Sequence, residues 1–150
     1  MKKLTLLLGI FTALIVVLLI TSTPSVAQTG SIEVTISSLK SDKGKCLIYL
    51  YKSQEGFPIK PEVAFKKIVN EISGRQSSYQ FTDIPFGTYA ISVVHDENDN
   101  GKLDSTFIGI PKEGIGVSNN VKGSFGPPKF KDAKFDHSKS SSTSNITISY

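Results

Sequence analysis

The sequence predicts an all-β protein, an antiparallel β-sandwich of about seven short strands with long irregular loops. Three observations predict it. Apolar and polar residues alternate with period two in Ser31–Ser37, Thr88–His95 and Asn145–Tyr150, the pattern of a strand with one buried face. Gly, Pro, Ser, Asn and Asp punctuate the chain at short intervals, the spacing of turns between strands. Helical periodicity is confined to one ambiguous stretch, Glu62–Ile72, where Phe65, Ile68, Val69 and Ile72 fall at helical intervals. Runs of short strands with little helix pack as two face-to-face sheets.

Taken in order, the chain begins with Met1-Lys2-Lys3, an almost wholly apolar run from Leu4 to Ile20, and small residues at Ser25-Val26-Ala27. This is the organisation of a secretory signal peptide, residues 1–27, with cleavage after Ala27; an uncleaved membrane anchor is the competing reading, since the apolar run is long for a signal peptide. No cysteine lies near that site, which argues against a lipid anchor there, and no stable membrane insertion is expected once the segment is removed. Residues 28–150 amount to a single domain. Without Lys2 and Lys3 the net charge falls from +4 to +2, too weak a bias for nucleic-acid binding. Cys46 is the only cysteine, so the chain forms no internal disulfide, and its strand-like surroundings make it a small buried residue.

Ser31–Ser37 and Lys45–Tyr51 read as strands joined across the turn Ser41–Gly44, a hairpin. Ser53–Pro61 is a loop holding Phe57 against a sheet edge, and Glu62–Ile72 is a short helix or turn entering a strand. Ser77–Ile84 and Thr88–His95 are strands separated by Pro85-Phe86-Gly87. Lys45–Tyr51 is the more heavily apolar and therefore more central than Ser31–Ser37, and Thr88–His95, the clearest strand, delivers the chain straight into Asp96. Ser105–Ile110 and Phe130–Phe135 are short-strand candidates. Gly109–Val117 and Asn119–Pro128 are irregular, His137–Ser144 is an exposed turn, and Asn145–Tyr150 closes the fold. The expected core is Ile32, Val34, Ile36, Leu47, Tyr49, Phe81, Tyr89, Ile91, Val93, Ile146 and Ile148.

The chemistry concentrates in Asp96-Glu97-Asn98-Asp99-Asn100-Gly101-Lys102-Leu103-Asp104. Counted from Asp96, oxygen-bearing side chains fall at positions 1, 3, 5 and 9, a glycine at 6, and the Lys102 carbonyl is available at 7. This is the spacing of a calcium loop. Calcium takes 6–8 hard oxygen ligands, and alternate residues of a curled loop point inward to supply them. Position 12, where a bidentate Glu is usual, is Phe107. Glu113 is the nearest carboxylate able to close the shell, with Asp132 further on. The candidate metal ligands are therefore Asp96, Asn98, Asn100, Lys102, Asp104 and Glu113. A plain acidic turn is the competing reading, since Asp, Asn and Gly are common turn residues.

Three functional classes follow. One is an extracytoplasmic binding or structural module with a calcium-binding loop, whose partner is a protein or glycan of the cell envelope. A second is a small hydrolase using His95 with nearby acidic groups and Ser118 or His137. The sequence holds no nucleophile elbow, zinc motif or phosphate loop, and His95 and Asp96, adjacent on a strand, point to opposite faces. No catalysis is expected. A third is a metal-free scaffold or oligomerisation domain, adding to a partner's sheet through an exposed edge strand.

Three stretches carry a family resemblance: Pro85-Phe86-Gly87-Thr88-Tyr89-Ala90-Ile91-Ser92-Val93; His95 through Asp104; and Gly109-Ile110-Pro111-Lys112-Glu113-Gly114 with Ser118-Asn119. Phe130, Asp132, Ala133 and Phe135 resemble the closing signature. Together they resemble the small secreted bacterial proteins grouped as domain of unknown function 2141, over about Gly30 to Tyr150. The Pro-Phe-Gly-Thr-Tyr piece resembles a turn of transthyretin-like (prealbumin-like) sandwiches. The resemblance implies a transthyretin-like or immunoglobulin-like sandwich, and export to the periplasm, outer membrane or medium. It implies no established activity.

Overall fold

The computed structural model describes residues 27–124 and 126–150. The expected signal peptide lies outside the described residues but for Ala27, and no helix among them is long and apolar enough to cross a membrane. Among the described residues, eight strands form two sheets: β1 (Thr29–Ser37), β2 (Lys45–Tyr51), β3 (Lys66–Asn70), β4 (Ser77–Pro85), β5 (Gly87–Asp96), β6 (Gly114–Val117), β7 (Phe135–His137) and β8 (Ser141–Thr147). The first sheet has the order β4-β1-β8, and the second β3-β2-β5-β6, with β7 also paired to β5. All pairings are antiparallel except β1 with β8, which run parallel from Ser31↔Ser141 to Ser37↔Thr147.

The expected β-sandwich is therefore present, with one strand more than anticipated. The hairpin expected between β1 and β2 is not: the two strands lie in different sheets. Alternation identifies a strand and its buried face, and it carries no information about which neighbour that strand pairs with.

The space between the sheets is filled by Ile32, Val34, Ile36, Phe81 and Ile146 from one side and Cys46, Ile48, Leu50, Tyr89, Ile91 and Val93 from the other. Each such aliphatic side chain contributes about 1.5–3 kcal/mol by leaving water. All eleven expected core residues are buried. Leu47 and Tyr49, however, belong to a second cluster with Tyr51 and Val94, on the other face of β2. A second cover makes this possible. Phe57 meets Tyr51 edge-on at 5.3 Å and Phe130 at 5.8 Å, so the loop after β2 and the short helix Phe130–Ala133 shield the outer face. Strands β2 and β5 are consequently buried on both faces, as near-continuous apolar strands are.

Cys46 is fully buried, and desolvation pushes its thiol up to about 12, as expected of an inert core cysteine. Glu62–Ile72 resolves into a single 3-10 turn, Pro61–Val63, entering β3. Phe130–Phe135 is mostly helix rather than strand, and Gly114–Val117, read as irregular, is β6. Ser105–Ile110 makes a bridge, Ser105↔Pro111, rather than a strand. The exposed turn expected over His137–Ser144 is also corrected. His137 is fully buried and β8 already begins at Ser141. Ser144 occupies an inward position of β8 with 8 % exposure, where a polar side chain hides the alternation.

Between β4 and β5 only Phe86 intervenes as the chain crosses from one sheet to the other. The crossing is braced by the Tyr89 hydroxyl, which donates to the Pro85 carbonyl at 2.7 Å. A tyrosine that ties the start of a strand back to the preceding corner in this way is a recurrent sandwich device. It gives the Pro-Phe-Gly-Thr-Tyr stretch a physical role.

Candidate functional site

Strand β5 ends by delivering two side chains to opposite faces. His95 faces inward, level with Cys46, and is fully buried. Its Nε2 lies 2.9 Å from the Lys43 carbonyl and its Nδ1 2.6 Å from the Tyr150 hydroxyl. A carbonyl only accepts, so Nε2 carries the proton and Nδ1 accepts from Tyr150. The same hydroxyl accepts from the Lys40 backbone N–H at 2.7 Å. His95 thus pins the Ser41–Gly44 turn and the C-terminal residue to the end of β5. Gly44, with φ +70°, passes so close that a Cβ there would collide with the Asp96 carbonyl.

Asp96 is also fully buried. Its carboxylate folds the following loop back on itself: Oδ1 accepts from Asn100 N–H at 3.1 Å and Oδ2 from Gly101 N–H at 2.7 Å. Gly101 sits at φ +77°, the left-handed conformation that a glycine adopts freely. Asn98 and Asn100 extend the coil, their Oδ1 atoms accepting from the N–H groups of Asn100 and Lys102 at 3.2 and 3.1 Å. Asn98 and Asn100 also converge from the other side, donating through Nδ2 to Asp104 Oδ2 at 2.8 and 3.0 Å. These two bonds hold the Asp104 carboxyl below the usual aspartate range, with Lys102 and Lys112 adding to the effect.

Glu113 closes the loop in a different sense from a twelfth-position ligand. It is nearly buried, at 6 % exposure. Its Oε1 accepts from Glu97 N–H at 3.1 Å and its Oε2 from Asp104 N–H at 2.9 Å, so one carboxylate clamps the loop's entrance to its exit. Lys102 stands exposed. Phe107, at position 12, is entirely exposed and offers no oxygen side chain. Asp132 is exposed on the short helix and is not among the groups that hold the loop.

Five of the six candidate ligands therefore act on one loop through their side chains. Among the described residues, no three His, Cys, Asp or Glu side chains converge as a metal cluster. What converges is one carboxylate, Asp104, with two amides. Rotating either amide by half a turn exchanges its nitrogen for its oxygen. With both turned, Asn98, Asn100 and Asp104 would bring three side-chain oxygens together, a hard-oxygen set of the kind calcium takes. The exchange would forfeit the bonds those amide oxygens now make to Asn100 and Lys102.

Several anchoring residues escaped the sequence reading. Leu103 packs into the cluster of Leu47, Tyr49 and Val94. Its signal was available, since it is the only apolar side chain between Asp96 and Asp104. The roles of Lys43, Gly44 and Tyr150 had no local signal. The groups considered for hydrolysis are engaged separately: Ser118 Oγ bonds Ile91 N–H and the Ala133 carbonyl at 2.9 and 2.6 Å, and His137 Nδ1 lies 2.7 Å from Ser142 Oγ. Two shallow depressions are bordered by Glu33, Ser78 and their neighbours, and no residue of the acidic loop lines either.

Fold and loop together define a class: a mostly β, two-sheet sandwich module with an acidic loop hung from its central strand, consistent with a binding or structural role. The family described as "uncharacterized protein conserved in bacteria (DUF2141)" matches residues 34–145, and the chain belongs to that family. No curated protein and no solved structure matches the chain.

Proposed function

We propose that the protein is an extracytoplasmic binding or structural module, secreted or periplasmic and associated with the cell envelope, whose loop 96–104 binds calcium and does no catalysis. The ligands would be Asp96, Asn98, Asn100, the Lys102 carbonyl and Asp104, with Glu113 completing the shell. One observation carries the reading. A fully buried aspartate at the end of a central strand organises a loop in which two amides and a second carboxylate already meet at one point. A rigid strand end holds such a constellation more tightly than a free loop does. The envelope partner would be a protein or a glycan.

The absence of catalysis in this proposal rests on His95, whose two ring nitrogens are both committed to structural partners within the fold. The metal-free scaffold is favoured by a different observation: the loop closes on its own hydrogen bonds, with each of Asp96, Asp104 and Glu113 already accepting two.

Thermal unfolding separates the two. Extracellular calcium sites bind with Kd on the order of 10⁻⁴–10⁻³ M. At ten times Kd, calcium adds about 1.4 kcal/mol of stability, a rise in Tm of about 5 °C for a domain of this size. The rise should appear when calcium is added after EDTA treatment and vanish in Asp96→Ala/Asp104→Ala. No shift in either protein would leave the scaffold reading standing.

A further inference from the structure

The hairpin that follows the acidic loop has no part in the reading above. Ser105 bridges to Pro111, Thr106 N–H donates to the Ile110 carbonyl at 2.8 Å, and Gly109 N–H donates to the Thr106 carbonyl at 2.9 Å. The Thr106 hydroxyl accepts from Ile110 N–H at 3.0 Å. Thr106-Phe107-Ile108-Gly109 is therefore a closed β-turn whose two central residues form its tip. Those residues are Phe107, 101 % exposed, and Ile108, 65 % exposed, with Ile110 at 56 % behind them. Isolated exposed apolar side chains are ordinary. A hydrogen-bonded projection carrying a phenylalanine and two isoleucines in four residues is not.

The size of the projection selects its occupant. Three side chains on a convex tip fall well short of the roughly 1,000 Å² that a stable protein interface buries. A bilayer interface demands no shape complementarity and takes up single apolar side chains on a rigid support. The charge at the base adds a condition. Lys112 N–H bonds the Asp104 carbonyl at 2.9 Å, so the hairpin springs directly from the loop. There Lys102 and Lys112 are outnumbered by Asp96, Glu97, Asp99 and Asp104. That base repels an anionic lipid surface until a divalent cation offsets the acidic excess, and calcium, which takes 6–8 oxygens, keeps room beside the six ligands proposed above for a lipid phosphate oxygen.

We propose that Phe107 and Ile108 form a membrane-docking tip that inserts into an anionic lipid surface when calcium occupies the loop at its base. The proposal rests on the calcium reading of that loop. The tip is pre-ordered by its own backbone bonds, so insertion orders little that was free.

The test is co-sedimentation of the processed protein with vesicles. The form beginning at Gln28 retains every strand and core residue described above, and removes Leu4–Ile20 as a source of lipid binding. Vesicles of phosphatidylcholine alone are compared with vesicles also containing phosphatidylglycerol, each in calcium and in EGTA. Binding should require both calcium and phosphatidylglycerol. It should weaken by about tenfold for each apolar side chain removed, in Phe107→Ser and in Phe107→Ser/Ile108→Ser, while the calcium-dependent rise in Tm persists in both variants. A rise in Tm without vesicle binding would overturn the docking proposal and leave the calcium site intact. Vesicle binding that is equal in EGTA would overturn the calcium gate. Self-association in the absence of lipid, abolished by the serine variants, would give the tip to a second copy of the chain instead. No rise in Tm and no binding would remove both proposals.

Discussion

The two ends of β5 solve the same problem in opposite ways. They lie about 30 Å apart, nine residues at strand rise, and each buries a histidine completely. At the Asp96 end, both nitrogens of His95 and both oxygens of Asp96 have partners. At the Gly87 end, His137 of β7 pairs with Gly87 and bonds Ser142, but among the described residues its Nε2 has no partner. Its ring stands instead among aromatics, edge to face with Phe86 at 5.3 Å and with Tyr89 at 6.2 Å. A buried polar atom left unpaired costs about 1–3 kcal/mol. The molecule therefore accepts a penalty where the surroundings are a packed aromatic corner. It accepts none where the strand must hold a loop in one shape. Polar completeness marks the end of β5 where geometry matters.

That contrast is open to direct attack. The largest effect is expected from Gly44→Val, which puts a side chain into the Asp96 carbonyl at a left-handed position. The steric and conformational penalties together should cost about 3 kcal/mol, read from the urea unfolding midpoint, with loss of any calcium response because Asp96 itself is displaced. Next come the two histidines, replaced in turn by leucine. His95→Leu strands the Lys43 carbonyl and the Tyr150 hydroxyl and should cost about 2–3 kcal/mol. His137→Leu removes the unpaired nitrogen along with the Ser142 bond, and should stay within about 1 kcal/mol of the parent protein. Equal losses in both would break the comparison.

The smallest effect concerns acid stability. The folded Asp104 carboxyl titrates below the ordinary 3.8 of an aspartate because Asn98 and Asn100 donate to it. As the pH falls, the unfolded chain takes up that proton first. The contribution of Asp104 is thus fully present above pH 3.8 and is lost as the pH drops through the folded value. In Asp104→Asn the fall in Tm between pH 6 and pH 3 should be shallower than in the parent protein, so that the gap between the two is widest near pH 6 and narrows along the acid limb.

Much of this arrangement was legible beforehand, and the rest was illegible for identifiable reasons. Ile32, Val34 and Ile36 announce a half-buried strand, and Tyr89, Ile91 and Val93 a central one, because period two is a local property of the chain. The loop was legible because its spacing is local as well. Pairing is not local: β1 and β2 have the signals of a hairpin, yet β1 sits between β4 and β8. The face of β2 was misjudged at Leu47 and Tyr49 because a strand covered on both sides shows no alternation. His137 gives no sign of burial, since Phe86 and Tyr89, which enclose it, lie about fifty residues earlier in the chain. Glu113 was singled out for its charge, whereas its role depends on two backbone N–H groups that no residue pattern encodes.

The parallel register of β1 against β8 has a further consequence. Ser31 faces Ser141 and Ser37 faces Thr147, so the middle strand of one sheet waits for a partner that follows it by 110 residues (141 − 31). Contacts of such wide sequence separation slow folding. A chain emerging with its N-terminus first, whether from a ribosome or through a membrane channel, holds β1 with one edge unpaired until Thr147 is free. The first sheet is therefore completed late, when β8 reaches the open edge of β1.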